Sequence, residues 1–554
     1  MICNMVVSFD IFDTCLVRKC GTPENFLDVL SHNVFSEVVS EDVRQKFVFE
    51  RRKAGYRSFS DDRATIADIY RNLDFSHPLL FSKEKLVEIE LECERSMLVP
   101  VLHVKNKIDA LRSKGFRIIF ISDMYLSCDF IKSILENYGI YKDGDAIYVS
   151  CEIGKTKSSG ELYRYIKESE HLEYSKWEHY GDNIKSDVQI PKSLGIKANI
   201  VENSYTPYQK RWINNDFSRG YKYPSIMAGI SRALRYSNED NAHKDFVLDL
   251  IAPYYCSFVY KVFKFAVVKG ITKLFFCARD AYQMYRIAQK IQVLFPNISV
   301  DYLYISRDAL YNGADEIKMK YYKQIGLASE TENIALVDTT TSGKTLRYIN
   351  DLFHSHGCRK LYGFYFLLWD DKRNIDVDYE HSHFELSQAY IVDNKLYSPF
   401  LQHIWIFENF FGLNKQSKTI GYEKDGDKYT PVFSDEIGAE DCVQEKQQYW
   451  SDVHEDLLCK YAEAYIQTEI YRYSDEIFSN IAMPTLLSFF TVPDKLYLTA
   501  LLEYRRGAGV DPYVRKESIF RLLRSRGRDS KWRRGTLIYN LPQWVVDMKF
   551  GKRL

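Results

Sequence analysis

The sequence has no pair of cysteines spaced as CxxC, although it holds 11 cysteines. That absence excludes a zinc knuckle, and the scatter argues for reduced thiols in a cytoplasmic protein rather than a disulfide frame. Net charge is also missing: 75 Lys and Arg balance 75 Asp and Glu. No global field therefore draws the chain to nucleic acid or to an anionic membrane. There is no uncharged run of about 20 apolar residues, the length a membrane span needs, so stable membrane insertion is not expected. The first residues, MICNMVVSFD, lack the basic start and long apolar stretch of a secretory leader and read as a short strand. No internal repeat or low-complexity tract stands out.

What is present is a chain of 554 residues, 46% hydrophobic and 27% charged, the balance of a soluble globular protein. Its length suggests about three domains of ordinary size. Aromatics are plentiful, with 42 Tyr and 34 Phe. Tyr254, Tyr255, Phe258 and Tyr260 recur at close spacing, as core packing requires.

Apolar strands that end in polar loops, with helices between them, predict a parallel α/β sheet. The strands fall at 5–9, 116–121, 146–150 and 177–180, and a long helical stretch over about 22–114 separates the first two. Residues 206–245, with Pro207, Pro224 and several Gly and Asn, read as a linker. A second α/β pattern follows over 246–440, with strands at 271–277, 300–305, 334–337 and 361–368. Short strands are expected around Gly421 and Gly426. From 441 to 554 the chain reads as helical and becomes basic beyond Arg505.

Ligands bind beyond the carboxyl ends of parallel strands, so the loops there carry the chemistry. The first strand opens into Asp10-Ile11-Phe12-Asp13-Thr14. Two carboxylates so close repel each other, and a divalent cation relieves the repulsion. Asp10 is placed to attack phosphorus, and Asp13 to protonate the leaving oxygen and then activate water. Ser122, at the end of the second strand, can hold a phosphoryl oxygen together with backbone N–H groups. A third loop, Gly154 to Gly160, offers Lys155 and Lys157 to neutralise developing charge. The fourth, Gly181 to Asp187, offers Asp182 and Asp187, oxygen ligands of the kind magnesium takes.

In order, FDIFDT, ISDMYLS, GKTKSSGELY and HYGDNIKSD resemble the four motifs of the haloacid dehalogenase (HAD) superfamily. The resemblance covers about the first 200 residues and implies a Rossmann-like parallel sheet over 1–205 with a helical cap at about 15–114. It implies a magnesium-dependent phosphatase in which Asp10 is the nucleophile, Asp13 the acid/base, Ser122 the phosphate-binding serine and Lys157 the motif lysine. It further implies that Asp10, the backbone carbonyl of Phe12, Asp182 and Asp187 form the metal site, and that the substrate is a phosphorylated small molecule. Because Asp13 is retained, phosphoryl transfer to water is favoured over dehalogenation. The helical insertion sits where that family places its cap, which excludes water and selects the substrate. Arg18, Lys19, Arg51, Arg52 and Lys53 there are candidates for contacting a second acidic group.

In the second α/β pattern, a strand runs into Asp338-Thr339-Thr340-Thr341-Ser342-Gly343-Lys344-Thr345 and then a helix, an anion cradle at a helix N-terminus. The ending SGKT matches a P-loop, but Asp338 stands where its first glycine belongs. IALVDTTTSGKTL also resembles the loop of type I phosphoribosyltransferases. That likeness implies a phosphoribosyl ligand with Asp338 on the ribose and Thr340, Thr341, Ser342, Gly343 and Thr345 around the phosphate. It also implies a pyrophosphate-side loop at Arg279 and Asp280. Val337 replaces the first of that family's two adjacent acids. The whole arrangement, with RDAY, SRDAL and VD…SGKT, resembles a family of predicted bacterial HAD hydrolases that accompany polysaccharide biosynthesis genes.

The pairs His354/His356 and His381/His383 match no recognised zinc spacing. The basic tail, with Arg505, Arg515, Arg521, Arg524, Arg526 and Arg528 near Trp532 and Trp544, offers a surface for a polyanion. A binding protein in which the phosphatase is auxiliary is therefore the competing expectation.

Overall fold

The computed structural model describes residues 5–35, 39–58, 61–76, 81–214, 221–238, 242–341, 344–368, 417–434, 441–491, 493–495, 497–499, 533–542 and 545–546. The chain divides into two compact units, Met1–Asp240 with Gln467–Ile470, and Asn241–Ile466 with Tyr471–Leu554.

Unit 1 is built on a five-stranded sheet. Its strands are β1 (Val6–Asp10), β4 (Arg117–Ser122), β5 (Ala146–Val149), β6 (Trp177–Gly181) and β7 (Lys197–Ile200), in the order β5-β4-β1-β6-β7. All four pairings are parallel. β1 is central and buried at every position, which explains its apolar run up to Asp10, interrupted by Ser8 alone. Chain order reverses on either side of β1, so a crevice opens beyond its carboxyl end.

Between β1 and β4 lies the expected insertion. A short antiparallel ribbon, β2 (Leu16–Arg18) with β3 (Leu98–Pro100), closes its base. Among the described residues four helices fill it: α1 (Pro23–Val34), α2 (Glu41–Ser58), α3 (Ile66–Arg71) and α4 (Lys83–Met97). Thr22 caps α1, whose first helical residue is Pro23, and a capping box from Thr65 and Asp68 starts α3. α5 (Leu102–Ser113), inside the range read as cap, is instead the connection into β4, and it buries Val104 and Ile108. The cap helices therefore end at Met97.

The segment 206–245, expected to be a linker, contains two helices that belong with unit 1, which extends to Asp240. α6 (Pro207–Asn214) and α7 (Tyr223–Tyr236) were hidden in the sequence by prolines that prove to start helices. α7 buries Ile226, Met227, Ile230, Ala233 and Leu234. Gly229 lets it approach β2's exit so closely that a Cβ there would sit 2.3 Å from the Gly21 nitrogen.

Unit 2 has a parallel sheet in the order β11-β10-β8-β9. Its strands are β8 (Ile271–Cys277), β9 (Ser299–Leu303), β10 (Asn333–Thr341) and β11 (Tyr362–Leu368). The pair expected around Gly421 and Gly426 is the hairpin β12 (Thr419–Asp425) and β13 (Lys428–Phe433). Tyr254, Tyr255 and Phe258 are buried in the helix Ala252–Val268, as core aromatics. The continuous helical run Lys244–Val268 is long and apolar enough to cross a membrane, but 89% of its apolar window is buried inside the protein. Beyond residue 441 the described elements are helical, with Asp441–Gln467 the longest.

Candidate active site

Four loops meet beyond the carboxyl ends of β1, β4, β5 and β6. Asp10 is the last residue of β1 and is 5% exposed. After it the chain turns sharply: the Asp13 amide donates forward to the Leu16 carbonyl, the Leu16 amide donates back to the Ile11 carbonyl, and Asp13 takes a left-handed φ of 57°. Ser122, the last residue of β4, is buried, and Asp123 follows it. The Asp123 carboxylate accepts the Lys157 amide at 2.7 and 3.0 Å and the Ser158 amide at 3.3 Å, fixing the lysine loop. The Ser150 hydroxyl accepts the Met124 amide at 3.0 Å and ties down the loop after β4.

Lys157 is the charge hub. Its Nζ donates to Asp10 Oδ1 and, at 2.7 Å, to Asp187 Oδ1. Lys155, the competing candidate, faces Glu161 at 3.7 Å and is 39% exposed. Asp187 accepts on both oxygens: Oδ1 from Lys157 and from His179 Nε2 at 3.3 Å, Oδ2 from the Asn183 amide at 3.0 Å. Gly181 permits this, since a Cβ there would lie 2.5 Å from the Asp187 Cβ and Cγ.

Behind Asp187 runs a buried chain that the sequence did not disclose. Trp177 Nε1 donates to Ser8 Oγ at 2.7 Å, and Ser8 Oγ lies 2.7 Å from His179 Nδ1. The Asp187 carboxylate only accepts, so on a neutral ring Nε2 carries the hydrogen and Nδ1 accepts the hydrogen bond donated by the Ser8 hydroxyl. Burial holds His179 below its ordinary pKa, which agrees with a neutral ring.

The metal candidates come together. Ligand oxygens of Asp10, Asp182 and Asp187 lie within 4.8 Å of one another, with Asp182 the least buried. Burial pushes the Asp10 carboxyl up to about 8, with Asp187 and Asp182 adding to the rise and Lys157 opposing it. Burial raises Asp182 to about 6, helped by Asp13 and Asp187. For Asp187 burial acts upward, but the His179 and Lys157 interactions outweigh it and hold the group below the carboxylate range. Lys157 is itself held well above its ordinary value: burial opposes its charge, and Asp10 and Asp187 more than restore it. The site thus gathers more carboxylates than its one lysine can neutralise. An all-oxygen cluster with excess negative charge fits a hard divalent cation. Phe12 lines the same cavity.

That cavity is about 600 Å³ and runs from the carboxylates to the cap. Arg18, Arg51, Arg52, Tyr56 and Tyr125 line it on the cap side. Arg18 is held by Glu94 at 2.6 Å and Arg51 by Glu90 at 2.5 Å, all four side chains buried. Lys19 and Lys53 do not line the cavity; Lys53 pairs with Glu50 at 3.5 Å. Of the five basic candidates, Arg52 is left lining the cavity with a buried Nε that makes no hydrogen bond.

Two further residues reach the site from beyond β7. The Asn203 side-chain amide donates to the Asp13 carbonyl, and Arg232 Nη2 donates to Asp13 Oδ1 at 2.8 Å.

In unit 2, Asp338 lies in β10 and accepts its neighbour's amide, Thr339 N, at 2.8 Å. Thr345 is half-buried in the first turn of the helix Lys344–Ser355. Ser342 and Gly343, and the side chains of Thr340 and Thr341, lie outside the described residues, as do His381, His383 and most of the basic tail. His354 and His356 are exposed and, among the described residues, belong to no metal-sized cluster.

No family model matches this chain, and no curated protein does. Solved structures similar to part of it include a HAD phosphatase from Thermococcus onnurineus, 21% identical, matched over 39% of this chain and 89% of that one with a TM-score of 0.27. A HAD family enzyme from Bacteroides thetaiotaomicron is 14% identical over 36% of this chain and 93% of that one, TM-score 0.28. The L-2-haloacid dehalogenase from Xanthobacter autotrophicus is 15% identical over 41% and 87%, TM-score 0.30. At such TM-scores the likeness assigns no activity.

Proposed function

We propose that unit 1 is a magnesium-dependent phosphohydrolase of the haloacid dehalogenase type, acting on a phosphate monoester. One observation carries this reading. Lys157 bridges Asp10 and Asp187, and Asp182 completes a carboxylate cluster at the mouth of a capped cavity.

In this reading Asp10 attacks phosphorus, forming an O–P bond as the bond to the leaving oxygen breaks. Asp13 gives its proton to that oxygen. Asp13 then takes a proton from water, whose oxygen attacks phosphorus and releases the Asp10 carboxylate and phosphate. Ser122 and neighbouring amides hold the phosphoryl oxygens, and Lys157 offsets their growing charge. Asp10, the Phe12 carbonyl and Asp182 would hold magnesium, with Asp187 supporting through Lys157. Bound there, the ion supplies charge neutralisation between nucleophile and phosphate. Dehalogenation has no use for a second carboxyl such as Asp13, which is among the residues lining the cavity.

The test is phosphate release from sugar phosphates and nucleotides with magnesium, wild type beside Asp10→Asn. The resemblance to hydrolases that accompany polysaccharide genes makes sugar phosphates the first choice. Selective release lost in Asp10→Asn is expected; release that survives the substitution overturns the assignment.

For unit 2 we infer a phosphoribosyl-binding role at the carboxyl ends of β8 and β10. There Asp280 and Asp338 both bear electrostatically on buried Cys277. Calorimetric titration with phosphoribosyl pyrophosphate tests it, and absence of binding at millimolar ligand contradicts it.

A further inference from the structure

We propose that unit 1 takes a phosphate ester carrying a second anionic group, a carboxylate or another phosphate, and that Arg52 on the cap receives that group; the inference rests on the phosphohydrolase reading above. The cavity of about 600 Å³ has the size of pockets that bury a whole small molecule, not a phosphoryl group alone. Its carboxylate end serves the reacting phosphate, which leaves the cap end for the rest of the substrate.

The bases on the cavity wall differ in their partners. Lys157 is taken by Asp10 and Asp187. Arg51 forks onto both oxygens of Glu90, which also accepts the Tyr70 and Tyr125 hydroxyls. Arg18 pairs with Glu94 through Nε and Nη2 and lies over the Phe12 ring, 4.9 Å from the centroid. Each of these charges is met inside the protein. Lys185 sits on the fourth loop and is exposed to water. Arg52 differs from all of them. It is half-buried, its Nε is shielded from water without an acceptor, and among the described residues it forms no hydrogen bond or ion pair. It acts electrostatically on Asp28, but burial lifts that carboxyl to about 6, with Gln45 and Arg52 opposing the rise. Glu24, the acid on the cap side of the wall, is exposed in the first turn of α1 and does not pair with Arg52.

A shielded guanidinium short of an acceptor is costly to keep unless something fills the place. Its planar fork matches a carboxylate or a phosphate, two oxygens at a time. The helix that bears it leaves room for such a group. Arg51 and Gly55, and Arg52 and Tyr56, stand four residues apart on α2, and all four line the cavity. Glycine weakens a helix interior, yet Gly55 occupies one here and is buried. Its missing side chain keeps the wall open beside the two arginines.

Matched esters that differ in the second anion test the proposal, with magnesium present. Fructose 1,6-bisphosphate is compared with fructose 1-phosphate and fructose 6-phosphate, and 3-phosphoglycerate with glycerol 3-phosphate. The first set carries a second phosphate and the second a carboxylate, so the arms separate the two sources. Wild type should favour the doubly anionic ester of at least one set in kcat/KM by roughly tenfold to a hundredfold, chiefly through KM. In Arg52→Gln that ratio should fall close to one, and in Arg52→Lys part of the way. It should persist in Lys53→Gln and Lys185→Gln. A wild-type ratio near one in both sets, or a ratio that survives Arg52→Gln, overturns the proposal. Should Arg52→Gln fail to fold, Arg52→Lys carries the same test. Calorimetric titration of these esters into Asp10→Asn reads the site without turnover. Tighter binding of the doubly anionic ester, lost when Arg52→Gln is added, is expected; equal binding with and without Arg52 overturns the proposal. If wild type hydrolyses none of the esters while Asp10→Asn keeps the Arg52-dependent preference, the phosphohydrolase reading fails and the anion site stands.

Discussion

Asp10 lies in a field of its own kind, and the imbalance has a pH signature. An unfolded aspartate titrates near 3.9. In the folded site burial lifts Asp10 to about 8 and Asp182 to about 6. The folded form then holds protons that the unfolded chain has lost, so these two groups contribute stability that is full below pH 4 and disappears as pH rises through those values. Asp187, held low, acts oppositely: its contribution is present above pH 4 and lost as the solution becomes more acidic. A cation prefers the ionised carboxylates. Magnesium should therefore raise the unfolding temperature more at pH 8.5 than at pH 5.5, and its binding near pH 7 should release protons. Equal shifts at both pH values, or calorimetric heats independent of buffer ionisation, would contradict the charge balance described. His179 makes a second test at this scale. His179→Phe leaves the Ser8 hydroxyl and Asp187 short of a partner inside the core. The expected loss is about 1–3 kcal/mol in chemical denaturation. No measurable loss would mean that the buried chain does not support Asp187.

Among the elements, α7 departs most from what the sequence suggested. The β-strands were legible because buried parallel strands need mostly apolar residues, and Val6–Phe9, apart from Ser8, and Ile118–Ile121 supply them. The order of the four loops was legible too, because strand ends converge whatever lies between them. The resemblance pointed to Lys157 with Lys155 close enough to compete; what decides between them, Asp123 pinning the loop, was not legible, because that contact spans 34 residues of sequence. Nor was Arg232, whose partner lies 219 residues earlier. Pro224 and nearby polar residues made α7 look like a connector, although Ile226, Ile230, Ala233 and Leu234 already mark a buried face. The close approach at Gly229 gives the element-scale prediction. Gly229→Ala places a methyl 2.3–2.6 Å from backbone atoms of Cys20 and Gly21, so the helix must shift. A loss of roughly 1–3 kcal/mol is expected in chemical denaturation. Unchanged stability would show that α7 is not seated where described.

For the molecule as a whole, the boundary of unit 1 follows from α7. The compact unit built on the five-stranded sheet runs on to Asp240 rather than stopping near residue 205. A fragment ending at 240 should therefore unfold at a higher temperature than one ending at 205, which lacks α6, α7 and the Arg232 contact. If the shorter piece is as stable, the two helices add nothing to the unit. The central claim is chemical: Asp10 carries the phosphoryl group. Acid-quenching the full chain during turnover with magnesium, then mapping the modified peptide by mass spectrometry, reads this directly. The account predicts a phosphoryl adduct on Asp10, absent in Asp10→Asn. An adduct on another residue, or turnover with no adduct at any quench time, would contradict it.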